Sequence, residues 1–242
     1  MKSRSYLARH ILLGICLVPG SHAFSQTVRT WVGTSPGQFL IGSNWTPSGV
    51  PSGAESRVRI DNGAAANADV VLSGPATIGG LAVTFGDQLR ISSGTTLTLQ
   101  RAGFTMPVDN AGTIAVGAGH LQLAGDVALN GFGTLTLAGG QIKATTAPAP
   151  GGVDFDVLTN RSDIKGYGIV VPAVENGELI QANTAGQTLS LLTVVDNVSG
   201  ILEASSGGTL AIGKSSDILN SSGLIRANAH GRQRPAARRT PR

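Results

Sequence analysis

Three glycines, Gly177, Gly200 and Gly223, fall 23 residues apart, and each opens a near-copy of one phrase: GELIQAN, GILEAS and GLIRAN. A repeat of this length, built from short apolar pairs, cannot bury its apolar face alone, so successive copies must stack on one another. The pairs recur through the body of the chain as Leu81/Val83, Leu89/Ile91, Leu97/Leu99, Ile114/Val116, Leu121/Leu123 and Leu135/Leu137. Spacing of i, i+2 sets two side chains on one face of a strand. Gly, Ser, Asn or Asp fills the gaps, as turns require. Three such strands make one circuit, which predicts an all-β chain wound as a single-stranded parallel β-helix, a solenoid. It is expected to be right-handed and three-sided, with about 21–23 residues per coil and an N-terminal cap.

Within each repeat, Ile180/Ala182, Leu202/Ala204 and Ile225/Ala227 read as inward pairs, which sets Gln181, Glu203 and Arg226 outward. Leu189/Leu191 and Leu210/Ile212 form a second strand, and Val195 and Ile218 mark a third. Asn197 and Asn220, again 23 apart, close that third strand. Stacked at one corner they form an asparagine ladder, or else they are two ordinary turn residues. At about 4.8 Å per coil, the span from Ala76 to Asn228 holds roughly seven coils and makes a rod about 35 Å long. Open strand edges at its ends invite end-to-end self-association.

The ends of the chain differ in character from this body. Residues 1–25 read as a secretory signal peptide: Lys2, Arg4 and Arg9 precede the short apolar run Ile11 to Val18, and Ser21-His22-Ala23 is a small-residue cleavage site. The run is too short to span a bilayer, so no membrane span is expected in the mature chain, which is exported. Cys16 leaves with this segment and takes disulfide and thiolate chemistry with it. Residues 26–75 form the cap and first strands, and 76–228 the coils, with 144–152 (ATTAPAPGG) as a loop. Residues 229–242 are an arginine-rich tail without the apolar beat, expected to be disordered. The formal charge of +4 resides in the two ends; the body is mildly acidic, so no nucleic-acid partner is expected. The abrupt change after Asn228 reads either as a basic arm or as a broken gene.

The stretch TWVGTSPGQFLIGSNWTPSGVPSGAESRVRI resembles the opening of bacterial autotransporter passenger-like and haemagglutinin-like secreted proteins. The matching positions are Trp31, Gly33, Asn44, Trp45, Pro51, Val58 and Ile60; Ser56 stands where an acidic residue is common. Residues 76–100 look like the first coils of the same group, and no alternating aromatic-flanked strands follow that would build an outer-membrane barrel. The resemblance implies surface display and an adhesin-like or structural role. It implies glycans or other cell-surface molecules as partners, at the cell surface, outer membrane or outside the cell.

Chemistry is sparse. No cofactor is expected. His120 alternates with Leu121 and Leu123 and is expected to face solvent; with no second histidine in the body and no cysteine, no metal site is expected. Asp154 and Asp156 are the best carboxylate pair, with Arg161, Asp163 and Lys165 close in sequence. Asp154, Asp156 and Arg161 are thus the weak catalytic candidates for a polysaccharide lyase or hydrolase, against two solvated aspartates beside a loop. Gly79-Gly80 and Gly207-Gly208 read as turn glycines before strands, not as phosphate cradles. The expectation is a non-catalytic exported rod, with glycan cleavage and a nonfunctional gene remnant as the alternatives.

Overall fold

A computed structural model describes residues 26–63, 67–100, 105–145, 156–213 and 218–228, together with the backbone of 232–234. The proposed signal peptide, Asp154 and most of the arginine-rich tail lie outside these residues. The described chain is all-β, with one short 3-10 turn at Gly42–Asn44. Among the described residues no helix is long and apolar enough to cross a membrane.

The strands pair in parallel, and the pairings fall into three series. In one, Val58, Leu81, Val108, Leu129, Asn160, Asn176 and Asn197 stand in or next to successive paired strands that end at Ile218–Leu219. In the second, Val70 pairs with Leu89, Leu89 with Ile114, Ile114 with Leu135, and Leu135 with Ile164. The same series continues through Ile180, Leu202 and Ile225. In the third, Ile78, Leu99, Leu123 and Ala144 are successive partners, and Val170, Leu191 and Ile212 follow. Each apolar pair is therefore opposed by a pair of the next strand in its series, and the register keeps the inward side chains on the same face. Leu89, Leu97, Ile114, Ile164, Ile180 and Leu202 are fully buried in one continuous apolar core.

Aromatic rings fill the N-terminal end. Trp31, Phe39 and Trp45 are buried, with both ring pairs meeting edge to face at centroid distances of 5.0 Å. Trp45 Nε1 donates to the Phe39 carbonyl at 2.7 Å. The strand Thr27–Trp31 runs parallel to Gly53–Ile60 and meets Trp45–Thr46 antiparallel. The W-x-G and N-W positions have a shared steric logic: a Cβ at Gly33 would fall 2.7 Å from both the Trp31 ring and Asn44 Cγ. Only glycine lets these two elements close against each other.

Three local expectations are corrected. Gly79 and Gly80 do not form a turn; they lie inside the strand Ala76–Val83, where a Cβ at Gly79 would collide with the Ala54 carbonyl of the neighbouring strand. Glu203 points outward yet is only 3% exposed, because Gln181, Arg226 and Asn228 close over it. His120 is half-buried, not solvent-facing, because Thr96 and Gln141 of the adjacent strands flank it in register. Inside the tail, Arg232–Arg234 pair in parallel with Thr209–Ala211.

Candidate functional site

Asp156 sits just before the strand Val157–Val170, at the point where the chain returns from residues 146–155. It is 5% exposed. Its Oδ1 accepts the Gly125 N–H at 3.1 Å, and its Oδ2 accepts the Thr145 N–H at 2.7 Å and the Thr145 hydroxyl at 3.1 Å. Asp126 returns the contact, accepting the Val157 N–H at 3.0 Å. The two aspartates tie Gly125, Thr145 and Val157 together and satisfy their backbone donors. Arg161 has the opposite setting: it is exposed, on the rim of a cleft of ≈ 230 Å³ that Thr159, Glu175 and Val198 also line. Asp163 and Lys165 pair with each other at 2.7 Å. The solvent-facing surface around Arg161 therefore does not include Asp156.

The best-built polar feature is a ladder of buried amides. Asn160 Nδ2 donates to Asn176 Oδ1 at 2.8 Å, Asn176 Nδ2 to Asn197 Oδ1 at 2.8 Å, and Asn197 Nδ2 to Asn220 Oδ1 at 2.7 Å. The ladder expected at Asn197 and Asn220 thus exists and extends two rungs further back. Asn110 occupies the same series, opposite Val83, fully buried and with neither amide atom bonded. Asn160, Asn176 and Asn197 are buried, and each side chain satisfies its neighbour, which is what allows polar groups inside the stack.

A second rank, Gln181, Glu203 and Arg226, stands on the neighbouring series in register. Glu203 accepts Gln181 Nε2 at 2.9 Å and Asn228 Nδ2 at 2.8 Å on one oxygen, and Arg226 Nε at 2.6 Å on the other. Burial alone would raise its pKa, but the bonds from Gln181, Arg226 and Asn228, with the Arg226 charge, reverse that and leave it lowered. His120 is shifted down as well, by burial first and by the nearby Lys143 charge second, so its imidazole is held neutral.

Two apolar residues stand fully out in solvent. Phe132 is 101% exposed and Phe85 90%. Phe85 is the second residue of the turn Thr84–Asp87, closed by the Asp87 N–H on the Thr84 carbonyl at 3.1 Å. Gly86 at φ +84° follows it, and Asp87 Oδ1 anchors the turn on the Ala68 N–H at 2.7 Å. Phe132 lies in a bulge between Gly131 and Gly133. Gly131 has φ +102°, and a Cβ there would collide with the Asn110 carbonyl; one at Gly133 would collide with the Gly112 carbonyl. The signal in the sequence is the glycine beside each phenylalanine, in Phe85-Gly86 and Gly131-Phe132-Gly133.

Comparison with known protein families, characterised proteins and solved structures returned no match.

Proposed function

We propose that the three series of parallel pairings form a right-handed, three-sided parallel β-helix, and that the protein is a non-catalytic exported rod of the autotransporter-passenger kind. It acts at or beyond the cell surface, in an adhesin-like or structural role. The observation that carries this reading is the in-register stacking itself. Outward residues of successive strands stand one above another, as Gln181, Glu203 and Arg226 do. An elongated face with repeated polar ranks suits many weak contacts made together, and linking such contacts multiplies the avidity. The aromatic cap at one end supports the same reading, because stacked repeats need a terminal element that shields the first circuit.

The test is to express the full chain in a diderm bacterium, fractionate the cells, and measure adhesion of beads coated with the exported protein to host cells and glycan surfaces. Recovery of a processed form outside the inner membrane, with adhesion that rises steeply with coating density, is the expected result. Retention in the cytoplasm, or glycan cleavage abolished by Asp156→Asn, would overturn the proposal.

A further inference from the structure

Resting on the surface-rod reading, we infer that the corner carrying Phe85 and Phe132 is a binding site for a linear, uncharged polysaccharide. Val83 pairs with Asn110, and Asp109 pairs with Asn130. Ala82, Asp109 and Asn130 are level in this register; Phe85 follows Ala82 by three residues and Phe132 follows Asn130 by two, so both rings leave the stack at the same corner, two strand spacings apart and one residue out of step. That separation is about 10 Å along the stack, roughly the length of two pyranose rings.

The circuit between them turns through Ala111 and Gly112. A Cβ at Gly112 would collide with the carbonyls of Asp87 and Thr84, so that position between the two rings carries no side chain. Both phenylalanines are large apolar side chains standing free of the core, one on a tight turn and one on a bulge that their glycine neighbours permit. Aromatic side chains of this kind carry much of the energy of the surfaces they serve, with only two side-chain torsions to order on binding.

Beside the aromatic edge runs a polar row. Asp109, Asn130 and Arg161 stand in register on the outward side of three consecutive strands. A carboxylate, an amide and a guanidinium are planar groups that bond two adjacent hydroxyls at once. Flat apolar rings next to planar polar groups match the two kinds of surface on a sugar: its C–H face and its hydroxyl edge. One acid and one base in the same row cancel in charge, which favours an uncharged chain over an acidic one. A protein partner would gain nothing from the spacing along the stack, whereas a polymer with a repeating ring would.

The test uses the full-length exported chain, its Phe85→Ala and Phe132→Ala single and double variants, and Arg161→Ala, on immobilised β-glucan, mannan and a uronate polymer. The expected result is retention on a neutral polysaccharide, weakened about tenfold or more by each phenylalanine change and lost in the double variant. Far-UV circular dichroism and the unfolding midpoint should stay unchanged, since neither ring packs in the core. Arg161→Ala should weaken neutral-glycan binding without converting it to salt-dependent binding. Retention that survives the double variant overturns this site while leaving the surface-rod reading in place. Preference for the uronate polymer overturns the assignment to uncharged chains. Cell adhesion that needs both rings yet resists periodate treatment of the cells identifies a protein partner and overturns the glycan inference. No retention on any glycan, with adhesion intact, overturns it as well.

Discussion

The side-chain nitrogen of Asn176 occupies the space that a Cβ on Gly200 would need. Gly223 stands in the same relation to Asn197, and Gly133 to the amide of Asn110, 2.8 Å from its Cγ and Nδ2. Gly200 and Gly223, which open two of the repeats, and the asparagine one repeat earlier in the series are therefore two parts of one corner. The amide turns inward to bond its copies above and below, and the next circuit passes so close that only a hydrogen fits.

Gly200→Ala should destabilise the protein by about 1–3 kcal/mol, the usual cost of forcing a methyl into a packed site. Gly177→Ala should cost clearly less, because its Cβ would come no nearer than 3.3 Å to the Asn160 carbonyl and 3.9 Å to the Ser199 hydroxyl. Urea midpoints at constant m-value measure both. Equal losses at the two positions would contradict the corner geometry.

Asn176→Ala leaves Asn160 Nδ2 and Asn197 Oδ1 without partners, each at about 1–3 kcal/mol for a buried unsatisfied group. Asn110→Val removes an amide that has no partner to lose, so its effect should be near zero or stabilising. The contrast between two buried asparagines of one series is the informative quantity, read again from denaturant midpoints.

Acid should loosen the C-terminal circuits. Glu203 has its pKa lowered from the ordinary 4.5, so its contribution is complete above that value and is lost as pH falls through the lower folded value. Asp61 adds to the same slope near the N-terminus: the Gly63 N–H, working against burial, lowers it below 3.8, helped by the Arg59 charge. His120 acts at higher pH. Its folded pKa lies below 6.5, so the unfolded chain takes up a proton first, and stability falls as pH drops below about that value. Glu203→Gln should flatten the lowest part of the stability curve, and His120→Gln the part just below 6.5. Thermal unfolding across pH, variant against parent, separates the two.

Both tryptophans of the chain, Trp31 and Trp45, lie in the cap. Intrinsic tryptophan fluorescence therefore reports this end alone, while far-UV circular dichroism reports every circuit. Trp45→Phe loses the bond to the Phe39 carbonyl, and Trp45→Ala should cost about 3–5 kcal/mol. Stacked repeats couple mainly to their neighbours, so Trp45→Ala should shift the unfolding of the first circuits more than that of the last. Hydrogen exchange at Leu89–Ile91 against Leu202–Ala204 resolves the difference.

Much of the strand order was legible because the i, i+2 pairs and the 23-residue spacing are direct records of stacking: Leu202 and Ile225 do pair, and so do Leu210 and Leu189. The earlier rungs of the ladder were hidden because circuit length varies; Asn160 and Asn176 are 16 residues apart, Asn176 and Asn197 21. A fixed period cannot find them. Glu203 looked exposed because alternation assigns a direction but not what covers the side chain. Asp156 looked like half of an acid pair because its bonds to Gly125 and Thr145 span 31 and 11 residues. Phe85 and Phe132 are not marked by the sequence pattern, because an apolar residue beside a turn glycine reads the same whether it packs in the core or stands in solvent.

The most direct test of the account is the pattern of backbone NOEs between Thr188–Leu191 and Thr209–Ile212, and between Leu179–Ala182 and Ile201–Ala204, in the isotope-labelled chain. Parallel stacking predicts amide-to-Hα contacts in register, Leu189 with Leu210 and Ile180 with Leu202. Close Hα–Hα contacts between strands adjacent in sequence, the mark of antiparallel hairpins, would contradict it.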